Sequence, residues 1–132
     1  MVREPYALTA EAALGFDETV ARTRTELETE GFGVLTEIDV AATLKAKLGK
    51  EMEDYLILGA CNPPLAHRAL EVDRSLGLLL PCNVVLRATD GGTLVQIADP
   101  EMMVNLTSNP ALEPIAKDAR ERLTLVLTAL GG

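Results

Sequence analysis

Residues 54–86 read "DYLILGACNPPLAHRALEVDRSLGLLLPCNVVL". Two apolar runs flank a segment whose Asn-Pro-Pro opening marks a helix start, and the way those runs pair decides the fold. "YLILGAC" is apolar enough to be a strand inside a sheet. Asn62 is a good N-cap, and Pro63 suits the first helical position, where a missing N–H costs nothing. The helix then runs over Asn62–Arg74 with Leu65, Ala66, Ala69 and Leu70 inward. Pro81 cannot donate to a ladder, so it belongs at the start of its strand or on a sheet edge. Were the two strands parallel neighbours, Cys61 at the end of one would lie far from Cys82 at the start of the next. An antiparallel pair joined by the helix brings those ends together, with His67 one turn into the connection. The antiparallel arrangement is the expectation.

The flanking segments extend the same pattern. "NVVLRA" and "TLVQIAD" are joined by "TDGG", whose Asp-Gly is a strong hairpin signal. "PYALTA" offers a short first strand near 5–9. A helix follows over 17–30, with Asp17 as its cap, Phe16 as a hydrophobic staple and Gly31 as a left-handed end. Its inward stripe is thin: Phe16, Val20, Thr23 and Leu27. "FGVLTEIDV" alternates Phe32, Val34, Thr36 and Ile38 against Glu37 and Asp39, the pattern of a half-buried strand over 32–38. Asp39 caps a short helix carrying Leu44 and Leu48 and closing at Gly49. A last helix over 110–130 presents Leu112, Ile115, Ala119, Leu123, Val126 and Leu130. Pro114 delays its start, and Glu113–Lys117 and Asp118–Arg122 stand at ion-pair spacing. The order strand, helix, strand, short helix, strand, helix, strand, strand, helix gives an α+β domain on a mainly antiparallel sheet. The helices at 17–30 and 110–130 pack on one face.

Composition sets the outer bounds. The chain has 132 residues, 48% apolar and 24% charged, with no Trp. That suits one globular domain, residues 1–132, whose core is built from Leu, Val, Ile and Ala. The net charge is −8, concentrated in residues 1–40, which hold three basic and nine acidic groups. An acidic chain without a basic, aromatic-rich stripe repels phosphate, which argues against nucleic acid. No signal-peptide h-region and no membrane-length apolar run is present, so the chain reads as cytoplasmic, with no membrane partner. Two cysteines in a reducing compartment are expected to be free thiols.

At "GACNPPLAHRAL" and "GLLLPCNVVLRATDGGTLVQIADP" the sequence resembles a bacterial family, domain of unknown function 302. The likeness extends to "FGVLTEIDVAATLKAKLG". It implies a compact β-α-β(4)-α fold with two short inserted helices, similar to the TATA-binding-protein arrangement, and homodimers. It implies no particular reaction, and fold likeness alone supplies none.

Cys61, Asn62, His67 and Cys82 are the candidate site. Two thiolates and an imidazole suit zinc or copper(I), but a closed zinc site takes four ligands, and here the fourth would be water, Asp73 or a second subunit. A thiol enzyme would draw on Cys61 beside a helix N-terminus, with His67 as base, yet no orienting acid stands beside it. Against both stands packing: free Cys often acts as a small hydrophobe, a His beside Arg68 belongs on a polar face, and helix capping accounts for Asn62 and Pro63. A small-ligand pocket is the remaining reading. No catalytic residue, metal or cofactor is assigned. Met102 and Met103 in "DPEMMVNL" fill core more often than they line a pocket or dimer face. "ATDGGTL" is a hairpin and not a phosphate loop. Glu26, Glu28 and Glu30 form a solvated face. The function expected is a ligand- or partner-binding homodimer, with a thiol- or metal-dependent enzyme as the alternative.

Overall fold

The computed structural model describes residues 4–131. It is an α+β domain. Five strands, β1 (Ala7–Ala12), β2 (Gly33–Asp39), β3 (Tyr55–Cys61), β4 (Cys82–Thr89) and β5 (Gly92–Ala98), form one sheet in the order β1-β5-β4-β3-β2. Every neighbouring pair is antiparallel. The β3–β4 pairing is the one the proline and cysteine segment called for, and Thr89 faces Gly92 across the Asp90-Gly91 turn.

Helices α1 (Phe16–Thr29) and α5 (Glu113–Ala129) cover one face. Leu58, Val84, Leu86, Val95 and Ile97 of the sheet meet Leu27, Leu123 and Val126 in the main core. The stripe of α1 is completed by two threonines, both fully buried: Thr19 and Thr23. Each hydroxyl donates to the carbonyl one turn back, Thr19 to Gly15 O at 2.8 Å and Thr23 to Thr19 O at 2.7 Å. A threonine can therefore sit where an aliphatic residue is usual, because its polar atom is satisfied within its own helix.

Gly15 rather than Asp17 precedes α1, and no side chain caps it. The helix begins one residue before the expected cap. Its end agrees with expectation: Gly31 has φ +84°, Phe32 N donates to Leu27 O at 2.8 Å and Gly31 N to Glu28 O at 3.0 Å. That is a Schellman turn. Helix α2 (Val40–Leu48) has both expected caps, with Ala42 N donating to Asp39 Oδ1 at 2.9 Å and Gly49 at φ +65°. β2 departs from expectation. Its alternating sequence suggested burial, yet it is an edge strand with every residue but Val34 exposed. The register shifts between Val34 and Thr36, a bulge that bends the edge.

Helix α3 (Pro63–Val72) is followed by a 3-10 segment at Arg74–Leu79, so the connection is longer than one helix. Before α5, a 3-10 turn at Pro110–Leu112 absorbs the delay that Pro114 imposes. Arg122 meets Asp118 at 2.8 Å, whereas Lys117 approaches Glu121 and not Glu113. Helix α4 (Glu101–Thr107) gave no signal in the sequence. It has no side-chain cap in the usual position. Asp99 organises its start instead, accepting Glu101 N at Oδ1 (3.0 Å) and Arg120 Nε at Oδ2 (3.4 Å). Leu65, Ala69, Leu76, Leu112, Ile115 and Ala119 form a second cluster beyond the end of the sheet. No helix among the described residues is long and apolar enough to cross a membrane.

Candidate functional site

The two hydrophobic clusters do not close completely on each other. At their seam, where β3 ends and β4 begins, lies a cavity of about 320 Å³. The main core contributes Phe32, Ala60, Cys82 and Leu123 to its wall, and the second cluster contributes Leu65, Ala69, Leu79, Met103, Ile115 and Ala119. Five lining residues are alanines: Ala60, Ala66, Ala69, Ala98 and Ala119. Protein interiors are close-packed, so a gap of this size persists only where the side chains around it are too short to fill it. The alanines supply that condition. Leu78, the most exposed large apolar side chain among the described residues, stands at the rim with Met102.

Few polar groups face this space. Asn62 lies on the core side of the pleat after Leu58 and Ala60 and is 7% exposed. Its Oδ1 accepts Leu65 N at 3.2 Å, as a cap should. Its carboxamide nitrogen sits beside Gly31, where a Cβ would come within 3.0 Å of it. That nitrogen donates to no protein atom among the hydrogen bonds of the described residues. The start of α3 offers nothing further: Pro63 and Pro64 have no N–H, Leu65 N is bound by the cap, and Ala66 N donates to Asn62 O at 2.9 Å. A helix N-terminus closed in this way is no anion site. Asp99, on the wall, is held by Glu101 N and Arg120.

Cys82 faces the core opposite Ala60. Its Sγ donates to Ala98 O at 3.6 Å. Burial, reinforced by the Asp99 charge, pushes its thiol up from 9.0 to about 12, so it keeps its proton at neutral pH. Cys61 is opposite Gly33 on β2, one residue beyond Ala60. Strand alternation turns its side chain to the other face of the sheet. Both cysteines are free and half-buried. They stand at one end of adjacent strands, but the pleat separates their thiols. His67 is not on the cavity wall. Its side chain is 73% exposed, and Nδ1 lies 3.1 Å from Glu71 Oε1 on the outer side of α3. Among the described residues no three His, Cys, Asp or Glu side chains converge as a metal site would require. The structure thus brings Asn62 and Cys82 together around the cavity, with Cys61 at its margin and His67 outside it.

Met102 and Met103 line the cavity from α4. The sequence allowed that role but could not assign it, because α4 itself was invisible. Ala66, Ala69 and Ala119 were read as inward-facing, but none of the five alanines was read as lining a gap, since each looks like ordinary helix or strand filler.

The fold and site define a small α+β domain with an apolar cavity at one end of its antiparallel sheet. Residues 6–130 match the family described as "Domain of unknown function DUF302", and the chain belongs to that family. It is similar to a solved structure, an uncharacterized conserved protein of that family from Bacillus stearothermophilus. The two are 34% identical, with a TM-score of 0.89 over 96% of this chain and 99% of the other. No curated protein matches the chain.

Proposed function

We propose that this domain is a homodimeric binding protein that takes a small, neutral, mainly apolar molecule into the cavity beside Asn62 and Cys82. The observation that carries the reading is the unfilled seam of about 320 Å³ walled by five alanines. That size is at the lower end of small-molecule sites. It suits a short aliphatic or single-ring compound. The chemistry of the wall narrows the class. Leu65, Leu79, Met103 and Ile115 contribute apolar surface, and methionines adapt to irregular ligand shapes. The Asn62 carboxamide offers one donor for a hydroxyl or carbonyl oxygen. No cation on the wall would hold a carboxylate, and the prolines remove the α3 amides that would otherwise do so. A protonated thiol at Cys82 is a poor nucleophile and a poor metal ligand, which speaks against a thiol- or metal-dependent enzyme at this position.

Calorimetric titration with 1-octanol and with octanoate tests the reading. Saturable binding of 1-octanol is expected, with octanoate weaker by at least about tenfold because its charge would be buried unpaired. Ala66→Phe, at a half-buried wall position, is expected to abolish binding while leaving the fold intact. Absence of saturable 1-octanol binding, or tighter binding of octanoate, overturns it.

A further inference from the structure

Helix α2 is nine residues long and none of them is buried. Helices this short are marginal in water unless a packed face supports them. Its neighbour β2 is equally uncovered and pairs only with β3. Among the described residues, four of the nine exposed large hydrophobic side chains fall within this one stretch. They are Leu35 at 66%, Ile38 at 50%, Leu48 at 65% and Met52 at 36%. An edge strand with unpaired backbone groups beside apolar side chains is a template for another chain.

Charge indicates which chain. Lys45, Lys47 and Lys50 lie on or just after α2, with no acidic residue between Val40 and Lys50. Lys47 and Lys50 enter no ion pair among the described residues. Helix α1 ends in Glu26, Glu28 and Glu30, with no basic residue in its last turn. Arg122 of the same chain reaches Glu30, donating to its carbonyl at 3.3 Å, but Glu26 and Glu28 enter no ion pair among the described residues. Acidic groups at a helix C-terminus repel its dipole and one another, so this end still favours a cationic neighbour. Helix α1 leads into the start of β2, and α2 leaves its end. Antiparallel pairing of β2 with a second β2 therefore sets the lysine-bearing segment of each copy beside the glutamate-bearing end of the other.

We infer that the second copy of this chain docks on the β2 edge and α2, across a twofold axis over the Thr36–Asp39 half of β2. This rests on the dimer in the reading above and adds its location. The contact is isologous: each copy uses its edge once, and the assembly closes at two chains. It also supplies the cover that α2 lacks within its own chain. The bulge at Val34–Thr36 leaves Thr36–Asp39 as the regular part of the edge available for pairing.

Sedimentation velocity at low micromolar concentration decides the matter. The wild-type chain is expected at twice 14.1 kDa. Ile38→Glu with Leu48→Glu is expected to sediment at 14.1 kDa with an unchanged circular dichroism spectrum, because both positions are exposed in the single chain. Leu106→Glu, exposed elsewhere, is expected to remain dimeric. Lys47→Glu with Lys50→Glu provides a second test that removes no apolar surface. It is expected to weaken association by at least about tenfold, and adding Glu26→Lys with Glu28→Lys is expected to restore part of the loss. A monomeric wild-type chain overturns the dimer and this surface together. A dimeric wild type whose association survives both double variants overturns the surface alone.

Discussion

Replacing Asn62 separates two roles that the structure gives to one side chain. Its Oδ1 caps α3 through Leu65 N at 3.2 Å, and its nitrogen, beside Gly31, is an uncommitted donor on a residue that lines the cavity. Loss of a side-chain cap costs about 0.5–2 kcal/mol. Here Asn62 is almost fully buried, so water does not readily replace it at the Leu65 N–H, and a buried unpaired donor adds its desolvation penalty. Asn62→Ala is therefore expected in the upper half of that range, about 1–2 kcal/mol. In a domain of this size that corresponds to a melting temperature lower by about 4–10 °C, and to a urea midpoint lower by about 0.5–1 M. Asn62→Ser keeps an acceptor at the cap and is expected to recover most of the stability. It removes the carboxamide donor, so 1-octanol affinity is expected to fall by about three- to tenfold, the worth of one neutral hydrogen bond. Urea unfolding followed by circular dichroism reads the first effect, and calorimetric titration the second. An Asn62→Ala loss below about 0.3 kcal/mol refutes the capping argument. Equal losses for Ala and Ser would show that contacts other than the cap hold this side chain in place.

Four further outcomes follow from other residues. With Cys61→Ser as background, the Cys82 thiol is expected to react only slowly with a disulfide reagent at pH 8 in the native protein, and fast labelling contradicts its protonated, largely desolvated state. Since its folded pKa of about 12 lies above the ordinary 9.0, the native chain keeps a proton that the unfolded chain releases. Its contribution is thus fully present below pH 9 and is lost toward pH 12, at about 1.4 kcal/mol per pH unit within that window; equal alkaline slopes for wild type and Cys82→Ala would refute this. Gly59→Ala places a Cβ against Thr36 Oγ1 and within 2.9 Å of the stiff ring of Pro81. It is expected to cost about 1–3 kcal/mol, and an unchanged urea midpoint refutes the crowding. His67→Ala removes only an exposed pair with Glu71, so unfolding should shift by no more than about 0.5 kcal/mol and 1-octanol binding should not change; lost binding would return His67 to the site.

The sequence made legible those features in which a residue dictates its own backbone. Asn62 and Pro63 start α3, Gly31 and Gly49 end helices in left-handed turns, and Asp90-Gly91 turns a hairpin. From these the β3–β4 pairing and the α+β class follow. What the sequence did not disclose depends on neighbours remote in the chain. Alternation in β2 reports the pleat but not whether anything covers it, and only the sheet order shows that β2 is an edge. Helix α4 is held by Asp99 and Arg120, whose meeting spans 21 positions. The cavity needs the segments near 60–82, 98–103 and 115–123 to converge, and no local pattern encodes an empty volume. The cysteines were read to the correct end of the sheet, but their adjacent strand positions conceal opposite faces. His67 lies only five residues after Asn62, yet helical rotation directs it to solvent.

The central claim is that the seam beside Asn62 and Cys82 is a binding site for a neutral apolar molecule. Amide chemical-shift mapping by nuclear magnetic resonance during titration with 1-octanol tests it most directly. The account predicts saturable shifts confined to Asn62, Leu65, Leu79, Cys82, Met102 and Met103, absent in Ala66→Phe. Shifts that do not saturate, or that centre on the β2 edge or on the exposed side of α3, would contradict it.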